Sequence, residues 1–340
     1  MTKEDKSQLL KASEQAPGVS SRDGKNPLKR IEAIVFGHAI ADALGVPVEF
    51  ESREELKKAP VKGMLGYGTH YVPAGTWSDD TSMALATLDS LSGGVNYDDM
   101  MEKFCEWKSK AAYTATDEVF DMGISTNTAL SRYQNGIPAL QCGCDGENDN
   151  GNGVLMRIYP VVLYWYYRQS YNQDRYQLIE FVYDASKLTH SHFRSQMGCG
   201  IYAYILASLL DNPSKEGIYN GLKDAWNHFS SYHAEVKHYE RLFDTDFDKI
   251  SEDEIKSTGY VVATLEAAIW CVLNTNSYSE CVLKAVNLGS DTDTVAAIAG
   301  SLAGAIYGLE DVPMEWRSTL LKTEYIRSLC KKFYEGIYKI

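Results

Sequence analysis

The chain has 340 residues, 44% of them hydrophobic and 23% charged, which allows a large buried core and matches a globular composition. Its formal net charge of −13 argues against a nucleic-acid groove, which needs a basic stripe or patch. A small anionic ligand is not excluded, because one site can differ in sign from the whole surface.

The opening stretch MTKEDKSQLLKASEQ has no apolar segment of the kind a secretory signal carries. No uninterrupted apolar run reaches the roughly 18–20 residues a bilayer demands. The seven cysteines, most of them scattered singly, then read as reduced thiols, and a cytoplasmic protein without a membrane anchor is expected. Cys142 and Cys144 form a CxC in 141-QCGCDGENDN-150, but no second Cys/His pair has zinc-like spacing.

Residues 1–27 are polar and end in 18-GVSSRDGKNP-27, so they read as a terminal extension ahead of one domain over 28–340. Helical periodicity follows. In 30-RIEAIVFGHAIADALG-45, Ile31, Ile34, Val35, Ala39 and Ala43 recur at three- and four-residue steps, and Gly45 is placed to end the helix. The segment 97-YDDMMEKFCEWKSK-110 opens with acids and closes with lysines, as the helix dipole prefers. Further helices are predicted over 174–188, 194–210, 261–273 and 323–338, and no convincing period-2 strands with hairpin turns occur. The expected fold class is all-α, in one compact domain.

Two stretches share an unusual punctuation. In 76-TWSDDTSM-83, Ser78, Asp79 and Asp80 stand directly before an apolar segment, and 289-GSDTDTVAAIAGSLAGAIYG-308 repeats the arrangement with Asp291, Asp293 and Thr294. Taken singly, each acidic pair also reads as a helix cap with a first-turn acid. Together they offer four carboxylates and two hydroxyls, hard oxygen ligands suited to Mg²⁺ or Mn²⁺. Should the two helix starts meet, the carboxylates would repel unless divalent cations sat between them. The run 291-DTDTV-295 also fits the nucleophile motif of haloacid-dehalogenase-type phosphatases, but too little chain follows it to supply the βαβ series that chemistry needs. Gly300, Gly304 and Gly308 lie four apart; each costs roughly 1 kcal/mol against alanine in a helix, so close helix approach is expected on that face.

Six segments in order, 37-GHAIADALGVPVEF-50, 75-GTWSDDTSM-83, 120-FDMGISTNTAL-130, 151-GNGVLMRIYPV-161, 189-THSHFRSQMG-198 and 288-LGSDTDTVAAIAGSLAGAIYG-308, carry a likeness. Through them the chain resembles the ADP-ribosylglycohydrolase family, which contains dinitrogenase-reductase-activating glycohydrolase and the ADP-ribosyl-arginine hydrolases. The resemblance implies an all-α fold around two Mg²⁺ or Mn²⁺ ions, held by Ser78, Asp79, Asp80, Asp291, Asp293 and Thr294. It implies Glu49 as ligand or acid/base, with Glu49, Asp79 and Asp80 as the catalytic set. Asp121, Gly151, Asn152, Gly153 and His190 would contact substrate, the glycine-rich loop at the diphosphate and Asp121 at a guanidinium. His192 and Arg157 are expected to be structural, Arg157 through an internal acid.

Three positions depart from the family pattern: Ser78 replaces Thr, Ala41 replaces Gly, and Val154 replaces Ser. None removes a carboxylate. The implied activity is removal of ADP-ribose from modified protein arginine, and the implied partners are ADP-ribosylated protein and ADP-ribose. As an immunity factor the chain would also meet an ADP-ribosyltransferase through its polar extension. The competing expectations are a hydrolytically silent binding protein on the same scaffold, or a hydrolase of ADP-ribosyl-serine or of a free metabolite.

Overall fold

The computed structural model describes residues 26–168 and 175–339. Of the expected extension, only Asn26 and Pro27 fall among the described residues; they cap and open the first helix.

That helix, α1 (Pro27–Gly45), starts where the Asn26 side chain accepts from Leu28 N at 3.0 Å and Pro27 occupies its first turn. It is apolar all round, and from Ile31 onward nearly every residue is buried. Among the described residues only the stretch Pro27–Val48 is long and apolar enough to cross a membrane by length and composition, and 94% of its apolar window is buried inside the fold. The pattern therefore marks a central core helix.

The other helices are α2 (Arg53–Lys58), α3 (Asp79–Leu91), α4 (Tyr97–Lys110), α5 (Ile124–Gln134), α6 (Tyr159–Arg168), α7 (Arg175–Lys187), α8 (Phe193–Asp211), α9 (Lys215–Phe229), α10 (His233–Val236), α11 (Val261–Leu273), α12 (Tyr278–Val286), α13 (Thr292–Tyr307), α14 (Met314–Thr319) and α15 (Thr323–Lys339). The described residues contain no strand, only two isolated bridges, Cys144 with His190 and Gly151 with Tyr260. The all-α expectation is met, and six predicted helices stand within three residues of their expected ends.

α1 and α13 form the axis of the molecule. Ala33 lies against Gly304, Gly37 against Gly300 and Gly45 against Asp293, a descending register that makes the pair antiparallel. A Cβ built on Gly300 would lie 2.3 Å from the Gly37 carbonyl oxygen, so the two backbones touch without side chains between them. Gly300 and Gly304 thus serve the close approach read from their spacing. Gly308 does something else: with φ at 78° it ends α13 rather than packing inside it. Because the overpacking has nowhere to go, Gly300→Ala is expected to lower unfolding free energy by about 1–3 kcal/mol. A denaturant midpoint equal to wild type would show that the interface yields.

Candidate active site

The antiparallel register brings the end of α1 to the start of α13. Thr292 Oγ1 donates to Gly45 O at 2.8 Å. A short 3₁₀ turn, Val46–Val48, follows and delivers Glu49, which is 4% exposed. Reciprocal backbone bonds, Phe50 N to Ser290 O and Ser290 N to Glu51 O, both 2.7 Å, clip this segment to the residues just before Asp291. As a result Glu49, Asp291 and Asp293 each place a carboxylate oxygen within 4.8 Å of the others.

The second acidic cluster arrives on α3. Ser78 is its N-cap and accepts from Asp80 N at 3.2 Å. A larger share of the capping comes from another helix: the fully buried Asp42 of α1 accepts from Ser78 N at 3.0 and 3.2 Å, from Thr81 N at 3.1 Å and from Thr81 Oγ1 at 2.6 Å. Burial pushes Asp42 up to about 6, while these donors pull the other way. Its role was missed in the sequence; the available signal was a lone acid inside the apolar run 39-AIADALG-45. The two clusters meet where Thr294 Oγ1 donates to Asp80 Oδ1 at 3.2 Å.

The electrostatics of this meeting are unfavourable for protein alone. Burial, then the neighbouring carboxylates, hold Asp79, Asp80 and Asp293 well above the usual carboxylate range, and burial raises Asp291 as well. Asp80 Oδ2, Asp291 Oδ1 and Asp293 Oδ2 are buried with no hydrogen-bond partner. A buried, ionised carboxylate without a partner costs several kcal/mol unless a proton or a cation neutralises it. Hard oxygens, buried and unsatisfied, fit divalent Mg²⁺ or Mn²⁺.

The remaining predicted residues fall on two sides of these acids. On one side stand Asp121, His70 and Glu49, which bring ligand-type atoms within 4.8 Å of one another. His70 Nε2 is hydrogen-bonded to Glu49 Oε2, and its ring packs 4.9 Å from Phe120. Burial raises Glu49 to about 7 despite this bond, and the bond raises His70. His70 was not singled out in the sequence, because one histidine in an aperiodic loop carries no pattern. On the other side His190, 2% exposed, lies beside the glycine loop: a Cβ on Gly153 would be 3.3 Å from its Cε1, and one on Gly151 would be 3.7 Å from its Nε2. Burial lowers His190 to about 3, so the ring is neutral.

Asn152 is placed differently from the expected diphosphate contact. Its amide N donates to Gly259 O at 3.0 Å, and its side-chain Nδ2 donates to Thr264 Oγ1 and Asp291 Oδ2, both at 2.9 Å. It therefore orients Asp291 and has no donor left for a ligand. Arg157 is structural, as expected, but not through an acid: it donates to Ala185 O and Thr189 Oγ1 and lies over the Phe104 ring. His192 caps α8 by accepting from Arg194 N at 3.2 Å.

The family model described as ADP-ribosylglycohydrolase matches residues 23–339. The chain belongs to the ADP-ribosylglycohydrolase family. Among relatives of this ADP-ribosylglycohydrolase, the ADP-ribosylarginine hydrolase Tri1 of Serratia proteamaculans is 31% identical over 90% of this chain and 79% of its own length. The ADP-ribosyl-[dinitrogen reductase] glycohydrolase of Rhodospirillum rubrum is 28% identical over 84% of this chain and 88% of its own. A solved structure, an ADP-ribosylglycohydrolase-related protein complex, superposes with a TM-score of 0.76 at 29% identity, covering 92% of this chain and 99% of that one.

Proposed function

We propose that this ADP-ribosylglycohydrolase is a divalent-cation-dependent enzyme that removes ADP-ribose from modified protein side chains, with arginine the preferred linkage. One observation carries the reading: two helix starts more than 200 residues apart in sequence converge through Thr294 and Asp80 and leave three buried carboxylate oxygens unpaired. Ser78, Asp79, Asp80, Asp291, Asp293 and Thr294 would hold two Mg²⁺ or Mn²⁺ ions, which supply positive charge for gripping a ribose diol.

The chain's own residues divide the remaining work. Asp42 and Asn152 hold the two acidic helix starts in place. Glu49, raised to about 7 and steadied by His70, is suited to take a proton from the attacking water at neutral pH. Water oxygen bonds to the anomeric carbon, the C–N bond breaks, and the guanidine nitrogen leaves with the proton that Glu49 took from the water. The carboxylates stabilise the oxocarbenium-like charge at that moment. Gly151 and Gly153, beside neutral His190, suit the diphosphate, and Asp121, partly buried beside Glu49 and His70, suits the guanidinium. All seven cysteines are free, and six are buried, which agrees with a cytoplasmic setting.

The test is incubation with arginine-linked and serine-linked ADP-ribosylated protein, with and without Mg²⁺ or Mn²⁺. Release is expected faster from arginine than from serine, and only with the cation. Asp121→Asn is expected to slow arginine-linked release by roughly 10–100-fold while changing the serine-linked rate much less. Cation-independent release, or none from any substrate, would overturn the proposal.

A further inference from the structure

The floor of the site is acidic, but one side of its rim is aromatic. Phe50, Tyr67 and Tyr71 are 67%, 63% and 78% exposed, and all three hold positive φ, at 68°, 59° and 53°. Bulky side chains avoid the left-handed region, and exposed aromatics lose the burial that would repay them. Three residues that break both rules sit together. Phe50 follows Glu49 and its ring lies 6.2 Å from that of His70, while Tyr71 follows His70 and meets Tyr67 edge-on at 5.5 Å.

This rim is not a frayed loop. Tyr67 N donates to Val72 O at 2.7 Å, Tyr71 N to Gly68 O at 3.0 Å and Thr69 N to Pro47 O at 2.9 Å. Gly68 presses so closely on the Pro47 carbonyl that a Cβ would lie 1.8 Å from its oxygen. Aiming His70 at Glu49 accounts for the turn but not for aromatic rings at its left-handed positions, where Asn or Gly would be easier. Backbone strain held this firmly beside a reactive centre points to function.

We infer that Phe50, Tyr67 and Tyr71 form a rigid docking rim for the polypeptide that carries the modified side chain. The inference rests on the hydrolase reading for its direction. On that reading the leaving side chain meets Asp121, which lies within 4.8 Å of Glu49 and His70 by ligand-type atoms, and Phe50 and Tyr71 are the chain neighbours of those two residues, so the attached protein would emerge over these rings. Pre-ordered aromatics make effective anchors because little entropy is lost when they bind.

The test uses the full chain with Tyr67→Asn and Tyr71→Asn combined, since asparagine tolerates positive φ and keeps the turn while removing both rings. An unchanged melting temperature reports that the turn and the fold persist. Two quantities are then compared with wild type: kcat/KM on an arginine-ADP-ribosylated protein against that on free ADP-ribosyl-arginine, and Kd for the modified protein against Kd for ADP-ribose. The protein values are expected to worsen roughly 10–100-fold, through KM rather than kcat, with the small-molecule values unchanged. Equal loss on both would assign the rings to the ADP-ribosyl group itself, and no loss on either would leave the rim idle; each outcome overturns the inference. Absence of turnover in wild type would sink the hydrolase reading separately, and the two Kd values would still decide the rim.

Discussion

Asp80→Asn is expected to reduce ADP-ribose release by about 1,000-fold or more while raising the melting temperature of the cation-free protein by a few degrees. The two effects share a cause. Asp80 Oδ2 is buried without a partner, and burial with Asp42, Asp79 and Asp291 nearby resists its ionisation. An amide of the same shape ends that repulsion and so favours the folded state, but it removes a charged oxygen from a set that acts as a unit. The amide oxygen still accepts from Thr294 Oγ1, so the helix contact should survive. Release assays and thermal denaturation of the cation-free protein measure the pair. A variant that loses activity and stability together would mean that Asp80 is structural.

Adding Mg²⁺ or Mn²⁺ at about 100 times its Kd is expected to stabilise the protein by about 2.7 kcal/mol, a shift of roughly 5 °C. The gain should depend on pH. A carboxyl group whose pKa is raised on folding keeps a proton in the folded state that the unfolded chain has already released. Stability of the cation-free protein therefore falls as pH climbs from the ordinary carboxyl range, near 4, through the raised values. Asp42 is raised to about 6, Glu49 to about 7, and Asp79, Asp80 and Asp293 well above the carboxylate range, so the loss continues past neutrality. The cation-induced rise should thus be larger near pH 8 than near pH 5.5. Calorimetry at both values checks it; an equal rise at each, or none, would show that these carboxylates do not face a common ion.

Legibility in the sequence followed pattern strength. The axis helices were readable because apolar spacing and glycines at four-residue steps leave little choice over 30–45 and 291–307. Both acidic clusters were readable because each stands at the start of such a helix. Helix α9 escaped because Gly217 and Gly221 stand in its buried stripe; the structure uses the gap at Gly221, where a Cβ would lie 2.5 Å from Ile205 Cα. Asp42 and His70 escaped for another reason. Each is one polar residue whose partners lie 20 to 40 positions away, at Glu49 and at Ser78 and Thr81, and no local periodicity encodes that distance. A glycine-flanked amide at Asn152 suggests phosphate contact, whereas its bond to Asp291 spans 139 residues and leaves no local trace.

Because Asp80 meets Thr294 across 214 positions, the reactive centre cannot exist in any early portion of the growing polypeptide. While the ribosome is still making α4 to α12, the first acidic helix start has no counterpart, and α1 lacks the helix its glycine face was shaped for. Completion of the core, and with it assembly of the proposed cation site, then falls late in synthesis, so a truncated product would carry aspartates but no assembled centre.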